Sequence, residues 1–206
     1  MIIFGTRGVT STKETGPFNC PFCGDQRAYS RKSVRRFFTL YFIPLIPLDE
    51  VGSYIECLTC KQQFTDEVLA YDPIAEAQQL QADVGGSLKR ILAIIMMADG
   101  KVDNTQLAAA CRGYEQVLGM PIDEHEIQSE MGSVQDGASE LIAEASRLRE
   151  QLNDNGKHAV IQAAIAVALA DGPAEGAERT FLGNLARELR VPLNEVQTLI
   201  RSQTVA

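Results

Sequence analysis

The chain has 206 residues, 45% of them hydrophobic and 22% charged, with no Trp and only 6% aromatics; this is a globular balance, unlike that of a disordered or bilayer-embedded chain. A net charge of −8 argues against nonspecific binding of nucleic acid or anionic lipid by the chain as a whole. Residues 1–71 carry 8 Lys and Arg against 7 Asp and Glu, leaving 11 against 20 for the remainder, which is the composition of two unlike domains.

The N-terminus has no basic leader, and its apolar stretch is too short for a signal peptide. The expected location is cytoplasmic, where thiols stay reduced and paired cysteines read as metal ligands before disulfides. Cys20-Pro-Phe-Cys23-Gly24 is followed, after the 33 residues that separate Cys23 from Cys57, by Cys57-Leu-Thr-Cys60. Each Cys-x-x-Cys places two thiolates on one tight turn, and two such turns complete a tetrahedron around Zn²⁺. Such a site is closed, so no catalysis is expected there. Gly24 follows the first pair, where the backbone turns back towards sulfur, whereas Lys61 holds the matching place without glycine's freedom. The spacing does not separate zinc from iron, and the first pair also resembles that of rubredoxin.

Between the pairs lie Arg27, Arg31, Lys32, Arg35 and Arg36, then the charge-free run Phe37–Leu48. Its aromatic and β-branched content predicts a strand ending at Pro44 and Pro47. A turn is expected at Asp49-Glu50-Val51-Gly52 before Tyr54-Ile55-Glu56 returns to the second pair. The run is well short of the ~20 residues that span a bilayer. It is also more than so small a domain can bury, so it is expected to meet the helical domain, a second copy or a protein partner rather than a membrane. The basic cluster is expected to be a solvated strand edge rather than a phosphate-binding face, which makes nucleic acid an unlikely partner. The Ile-Ile-Phe-Gly-Thr opening, the Cys-Pro-x-Cys-Gly pair, the Arg-Arg-Phe-Phe-Thr-Leu-Tyr-Phe-Ile-Pro-Leu run and the closing Cys-x-x-Cys resemble a bacterial zinc-ribbon family over residues 1–68. The resemblance implies a fold and a metal, not an activity.

From Pro73 onward the sequence reads as helices. Residues 74–84 put Ile74, Ala77, Gln81 and Val84 on one face, and Ser87 is expected to cap a new helix ending at Ala98. Further helices are expected from Asn104 to Leu118 (ended by Gly119), over 122–131 and 138–152, and over 157–170, 175–190 and 193–203. In the 138–152 helix Leu141, Ala145, Leu148 and Leu152 form the core stripe, with Glu140, Glu144, Arg147 and Glu150 in solvent. Leu88–Ala98 and Ala159–Ala170 are apolar nearly all round and are expected at the centre of the bundle. Cys111 falls on a buried stripe, and His125 and His158 are expected to be structural or at the surface.

The two central helices end alike, in Ala98-Asp99-Gly100 and Ala170-Asp171-Gly172, and the echo continues in Asp103 with Glu175, Leu118 with Leu189, and Met120-Pro121 with Val191-Pro192. An internal duplication with a period of about seventy residues is the simplest account. These features resemble the TerB-like (tellurite-resistance) helical family over about residues 85–203. That resemblance implies a helical domain with an acidic metal site, associated with stress and metal resistance rather than a defined reaction. Gln106 departs from the pattern where the second half has Glu178, and Lys101 adds a positive charge to the first loop.

An Asp at a helix C-terminus opposes the helix dipole by a few tenths to 1 kcal/mol, and Asp99 and Asp171 both occupy such a place. Pseudo-symmetric packing is expected to bring Asp99, Asp103, Asp171, Glu175 and Glu178 to one end of the bundle, where carboxylates suit Ca²⁺, Mg²⁺ or Mn²⁺. The competing expectation is that each Asp-Gly is an ordinary turn and each later acid a helix cap. An EF-hand is excluded, because Ile95 and Met97, or Val167 and Leu169, would fall at its ligand positions.

No nucleophile elbow, Walker loop or dinucleotide fingerprint is found. The expectation is therefore an α+β multidomain chain without enzymatic activity: a four-cysteine zinc ribbon over 1–70, a linker and leading helix over 71–86, and a TerB-like all-α domain over 87–206. Its expected role is partner docking and cation binding in stress or tellurite and metal resistance. The alternatives are a nucleic-acid-associated regulator and a rubredoxin-like electron carrier.

Overall fold

The computed structural model describes residues 4–40, 43–98, 100, 102–174 and 176–204. It divides into two compact units, residues 1–76 and 77–206.

The first unit is an antiparallel sheet of strand order β1-β2-β3-β4, from β1 (Phe4–Cys20), β2 (Asp25–Leu40), β3 (Ile43–Cys57) and β4 (Gln63–Phe64), followed by a short 3-10 turn over Asp66–Ala70. Its core lies wholly at the cysteine end: Phe18, Cys20, Tyr29, Ile55, Cys57 and Val68, with Phe64 and Tyr71 against them. Phe18 meets Tyr29 edge-on at 5.7 Å between ring centres and Phe64 at 6.1 Å. A Cβ on Gly16 would stand 3.0 Å from the Tyr29 ring, so a larger residue there would have to push the ring aside by a few tenths of an ångström.

The expected turn at Asp49–Gly52 is strand instead. β3 runs unbroken from Ile43, which lies opposite Leu40, through Pro44 (opposite Thr39) and Pro47 (opposite Phe37) to Cys57. Proline is tolerated here because β4 pairs only with Ile55 and Glu56. The rest of β3 is a sheet edge, where a missing N–H costs no ladder bond. Register shifts beside Phe37 and Thr39 absorb the remaining misfit. Ile43, Ile46, Leu48 and Val51 are all exposed, so these four side chains are not used by the ribbon's own core.

The second unit is a bundle of α1 (Pro73–Met96), α2 (Asn104–Leu118), α3 (Glu124–Met131), α4 (Gly137–Gln151), α5 (Asp154–Ala168), α6 (Ala177–Glu188) and α7 (Leu193–Thr204). The two helices expected on either side of Ser87 are one. Ser87 is buried inside α1 and donates its hydroxyl to Glu144 at 2.7 Å, so it serves packing rather than capping. The C-terminal half of α1 is buried from Leu88 to Met96 apart from Lys89 and Arg90, and α5 supplies Val160, Ile161, Ala164, Ile165 and Val167 to the same core. α2 crosses α5 at Gly113, where a Cβ would come within 2.8 Å of that of Ala163.

Glu140 and Glu144, expected in solvent, instead face α1. Arg90 reaches Glu130 at 2.7 Å, Glu140 at 2.6 Å and the Ser133 carbonyl at 2.9 Å, tying α1 to α3 and α4.

Helix order and one cap agree with the expected duplication. α1-α2-α3 and α5-α6-α7 repeat one order, and the left-handed residue after the second helix of each repeat is Gly119 (φ 73°) in the first and Arg190 (φ 59°) in the second. Met120-Pro121 and Val191-Pro192 follow at once.

Candidate metal centres

The two cysteine turns are built alike. The Gly24 amide donates to the Cys20 carbonyl at 2.9 Å and the Lys61 amide to the Cys57 carbonyl at 3.0 Å. Both Gly24 (φ 68°) and Lys61 (φ 63°) are left-handed, a conformation that costs an L-residue about 1–2 kcal/mol. The second turn therefore accepts a strain that glycine removes from the first. Pairing of Tyr29 with both Gly16 and Cys57 then sets the two turns side by side at one end of the sheet.

All four thiols are free, and their sulfurs lie within 4.8 Å of one another, with Cys20 and Cys60 at 3.8 Å. A tetrahedral site with Zn–S bonds of about 2.3 Å has an edge of about 3.8 Å, so the donor set fits Zn²⁺. Cys20 and Cys57 are buried, whereas Cys23 and Cys60 are half-buried. At Cys57 burial pushes the thiol up, but the amides of Cys60 and Thr59 donating to its sulfur outweigh this and hold it at about 7. Cys23 is pushed up to about 12, first by burial and then by the surrounding thiols. Cys57 is thus held closer than Cys23 to the thiolate a metal needs. Among the described residues these four are the one group of three or more His, Cys, Asp or Glu side chains gathered in this way.

The basic cluster beside this centre is neutralised within the sheet. Arg31 pairs with Glu14 at 3.0 Å and Asp66 at 3.3 Å, Lys32 with Glu56 at 2.7 Å, and Arg35 with Glu50 at 3.5 Å. Arg36 pairs with Asp49, and Arg27 with Asp25 at 3.2 Å. Lys13 reaches the same Glu50 at 2.8 Å and, with Arg35, holds its carboxyl down at about 2.

Of the five acids expected at the end of the bundle, Asp99 and Glu175 lie outside the described residues, as does Lys101. Asp103 is the N-cap of α2. Its Oδ1 accepts from the Thr105 and Gln106 amides, both at 2.8 Å, and from the Thr105 hydroxyl at 2.6 Å. The Thr105 hydroxyl, followed by the Gln106 amide, lowers this carboxyl below its ordinary value. Asp171 is exposed just beyond α5, and Glu178 is buried in the first turn of α6. The Thr105 hydroxyl also lies 3.3 Å from the Ala170 carbonyl, so the start of α2 in the first repeat adjoins the end of α5 in the second. Gln106 is fully buried, with both amide atoms lacking a hydrogen-bond partner among the described residues.

Cys111 is half-buried against the core, and burial raises its thiol. His125 is exposed in the first turn of α3, while His158 pairs with Glu195 at 2.7 Å. That pair joins residues 37 positions apart in different helices, and no local pattern announces it.

The class is that of a β ribbon with a four-cysteine cluster that could hold a metal ion, followed by a bundle of seven helices among the described residues. The family described as "Tellurite resistance protein TerB" matches residues 88–200, and the chain belongs to that family. The match covers both Asp-Gly loops and stops short of the ribbon. No curated protein and no solved structure matches the chain. Among the described residues, no helix is long and apolar enough to cross a membrane.

Proposed function

We propose that this is a non-enzymatic, intracellular metal-binding interaction protein. In this reading the ribbon holds one structural Zn²⁺ and docks a protein partner, while the TerB domain binds a divalent cation in a stress or tellurite and metal response. The observation that carries it is the convergence of four free thiols at the separation a tetrahedral ion requires. Metal binding of ~10–16 kcal/mol would supply most of the folding energy of so small a core. Elemental analysis of the chain purified without added metal is expected to find one zinc per chain. Iron with a visible thiolate band would shift the reading to a rubredoxin-like carrier, and absence of any metal would overturn both.

For the cation site, the contact between Thr105 and Ala170 supports one half-site drawn from both repeats. It would use Asp171, Asp103 Oδ2 and the buried Gln106 oxygen. Adding Ca²⁺, Mg²⁺ or Mn²⁺ to the zinc-loaded chain should raise its helical unfolding temperature, and Asp171→Asn should reduce the rise. A cation at a hundredfold excess over its dissociation constant stabilises by ~2.7 kcal/mol. No rise with any of the three ions would remove the cation site from this reading.

Docking would use the exposed Ile43, Ile46 and Leu48 in the Phe37–Leu48 run, against a protein partner or a second copy. A nucleic-acid role has less support, because Arg31, Lys32, Arg35 and Arg36 already have carboxylate partners. Binding to duplex or single strands that weakens steeply with salt would reverse that judgement.

A further inference from the structure

α7 packs on α5 and α6 and contributes Val196, Leu199 and Ile200 to the core. Besides the packing of Val196, its first turn has one polar tie to α5 among the described residues. His158 Nδ1 lies 2.6 Å from the Asp154 carbonyl oxygen and Nε2 lies 2.7 Å from Glu195 Oε2. A carbonyl oxygen and an ionised carboxylate can only accept, and a neutral imidazole has one N–H to give. Neutral histidine beside ionised Glu195 would therefore leave one nitrogen lone pair facing an oxygen at hydrogen-bond distance.

We propose that the α5–α7 contact is a pH-operated latch: His158, doubly protonated, bridges the Asp154 carbonyl and the Glu195 carboxylate, and loss of that proton frees the first turn of α7. The same proton count holds if Glu195 carries the proton and donates to Nε2. The charges that act on the ring are Glu195 from α7 and Asp154 from α5 itself, and Asp154 is shared with Lys157 at 3.2 Å. Gly113 meets Ala163, and Thr105 meets Ala170, so α2 runs antiparallel to α5. That register sets the apolar Val117 and Leu118 at the level of His158, with Glu115 exposed nearby. From α6, Glu188 is engaged with Arg149 and Ser146 of α4.

The hydrogen bond to Glu195, then that to the Asp154 carbonyl, raises the histidine above its ordinary value of 6.5. A raised value means that the stabilisation is fully present below the unfolded-state pKa and is lost as pH rises through the folded-state one. The latch is therefore closed below the histidine's raised folded-state value and opens as pH rises through it.

The test is hydrogen exchange on the full zinc-loaded chain, from about pH 6 to about pH 9, with protection factors corrected for intrinsic exchange. Protection of the α7 amides should fall about two- to fivefold with rising pH, the range expected for one partly exposed ion pair, while α2 stays level. In Glu195→Gln the α7 protection should lose its pH dependence, and the His158 ring resonances should titrate at a lower pH than in the parent. His158→Gln should likewise flatten the profile. A flat α7 profile in the parent chain would overturn the proposal, as would an unchanged profile or an unchanged histidine titration in Glu195→Gln.

Discussion

Arg190 ends α6 in a left-handed conformation (φ 59°), with its amide donating to the Arg187 carbonyl at 3.1 Å and the Val191 amide to Ala186 at 2.9 Å. These two bonds form a Schellman cap, in which the left-handed residue is most often glycine. The first repeat has Gly119 at this place, its amide donating to Glu115 at 2.8 Å. The left-handed conformation costs an L-residue about 1–2 kcal/mol, and glycine forfeits about 0.5–1 kcal/mol through its greater freedom when unfolded. Arg190 is exposed and makes no ion pair among the described residues, so little is lost with its side chain. Arg190→Gly should therefore stabilise the helical domain by about 0.5–1 kcal/mol, moving its melting temperature by a few degrees at most. Urea unfolding of the zinc-saturated chain, followed by far-ultraviolet circular dichroism at the helical band, reads this as a higher midpoint at constant slope. Arg190→Ala keeps the Cβ and should gain nothing. If the alanine variant gains as much as the glycine variant, the benefit comes from deleting the arginine side chain. If glycine destabilises, the strain argument is wrong.

Arg90→Ala should cost about 2–3 kcal/mol in the same assay, because it leaves Glu130 and Glu140 facing each other in a partly buried site; a loss under about 1 kcal/mol would show that water replaces the guanidinium without penalty. Asp103→Ala should cost about 1 kcal/mol as a lost N-cap, and an equal loss with and without divalent cations would confine Asp103 to capping. Cys57→Ser should abolish stoichiometric zinc and, with it, the folded ribbon, while the helical band at the circular dichroism minimum changes little. A ribbon that stays protected from proteolysis without metal would refute its dependence on the ion.

The clustering of the four cysteines was legible because doubled Cys-x-x-Cys spacing has few other uses, and the helices because their apolar stripes are long. The break expected at Ser87 failed because a small hydroxyl residue reads as a cap locally, whereas its partner, Glu144, lies 57 residues away. Pro44 and Pro47 misled in a similar way. Proline forbids a central strand but not an edge, and which strand is the edge is a property of the whole sheet. The ion pairs of Arg31, Lys32, Arg35 and Arg36 were hidden for the same reason, since composition shows the cations together but not the carboxylates across from them. The Asp-Gly loops were legible as a repeat. What periodicity could not reveal is that the start of α2 sits beside the end of α5.

That crossing has a consequence for how the bundle is put together. Thr105 of the first repeat touches Ala170 of the second, and Gly113 of the first packs on Ala163 of the second. Each repeat thus finds its closest neighbour in its sibling, much as the halves of a homodimer do, except that here both protomers are written into one polypeptide. Once joined, the copies are free to diverge without losing their fit. Gln106 where the other repeat has Glu178, and Gly119 where it has Arg190, are two positions at which the repeats differ. A lone repeat would have to recruit another molecule to regain the surface that its twin now supplies.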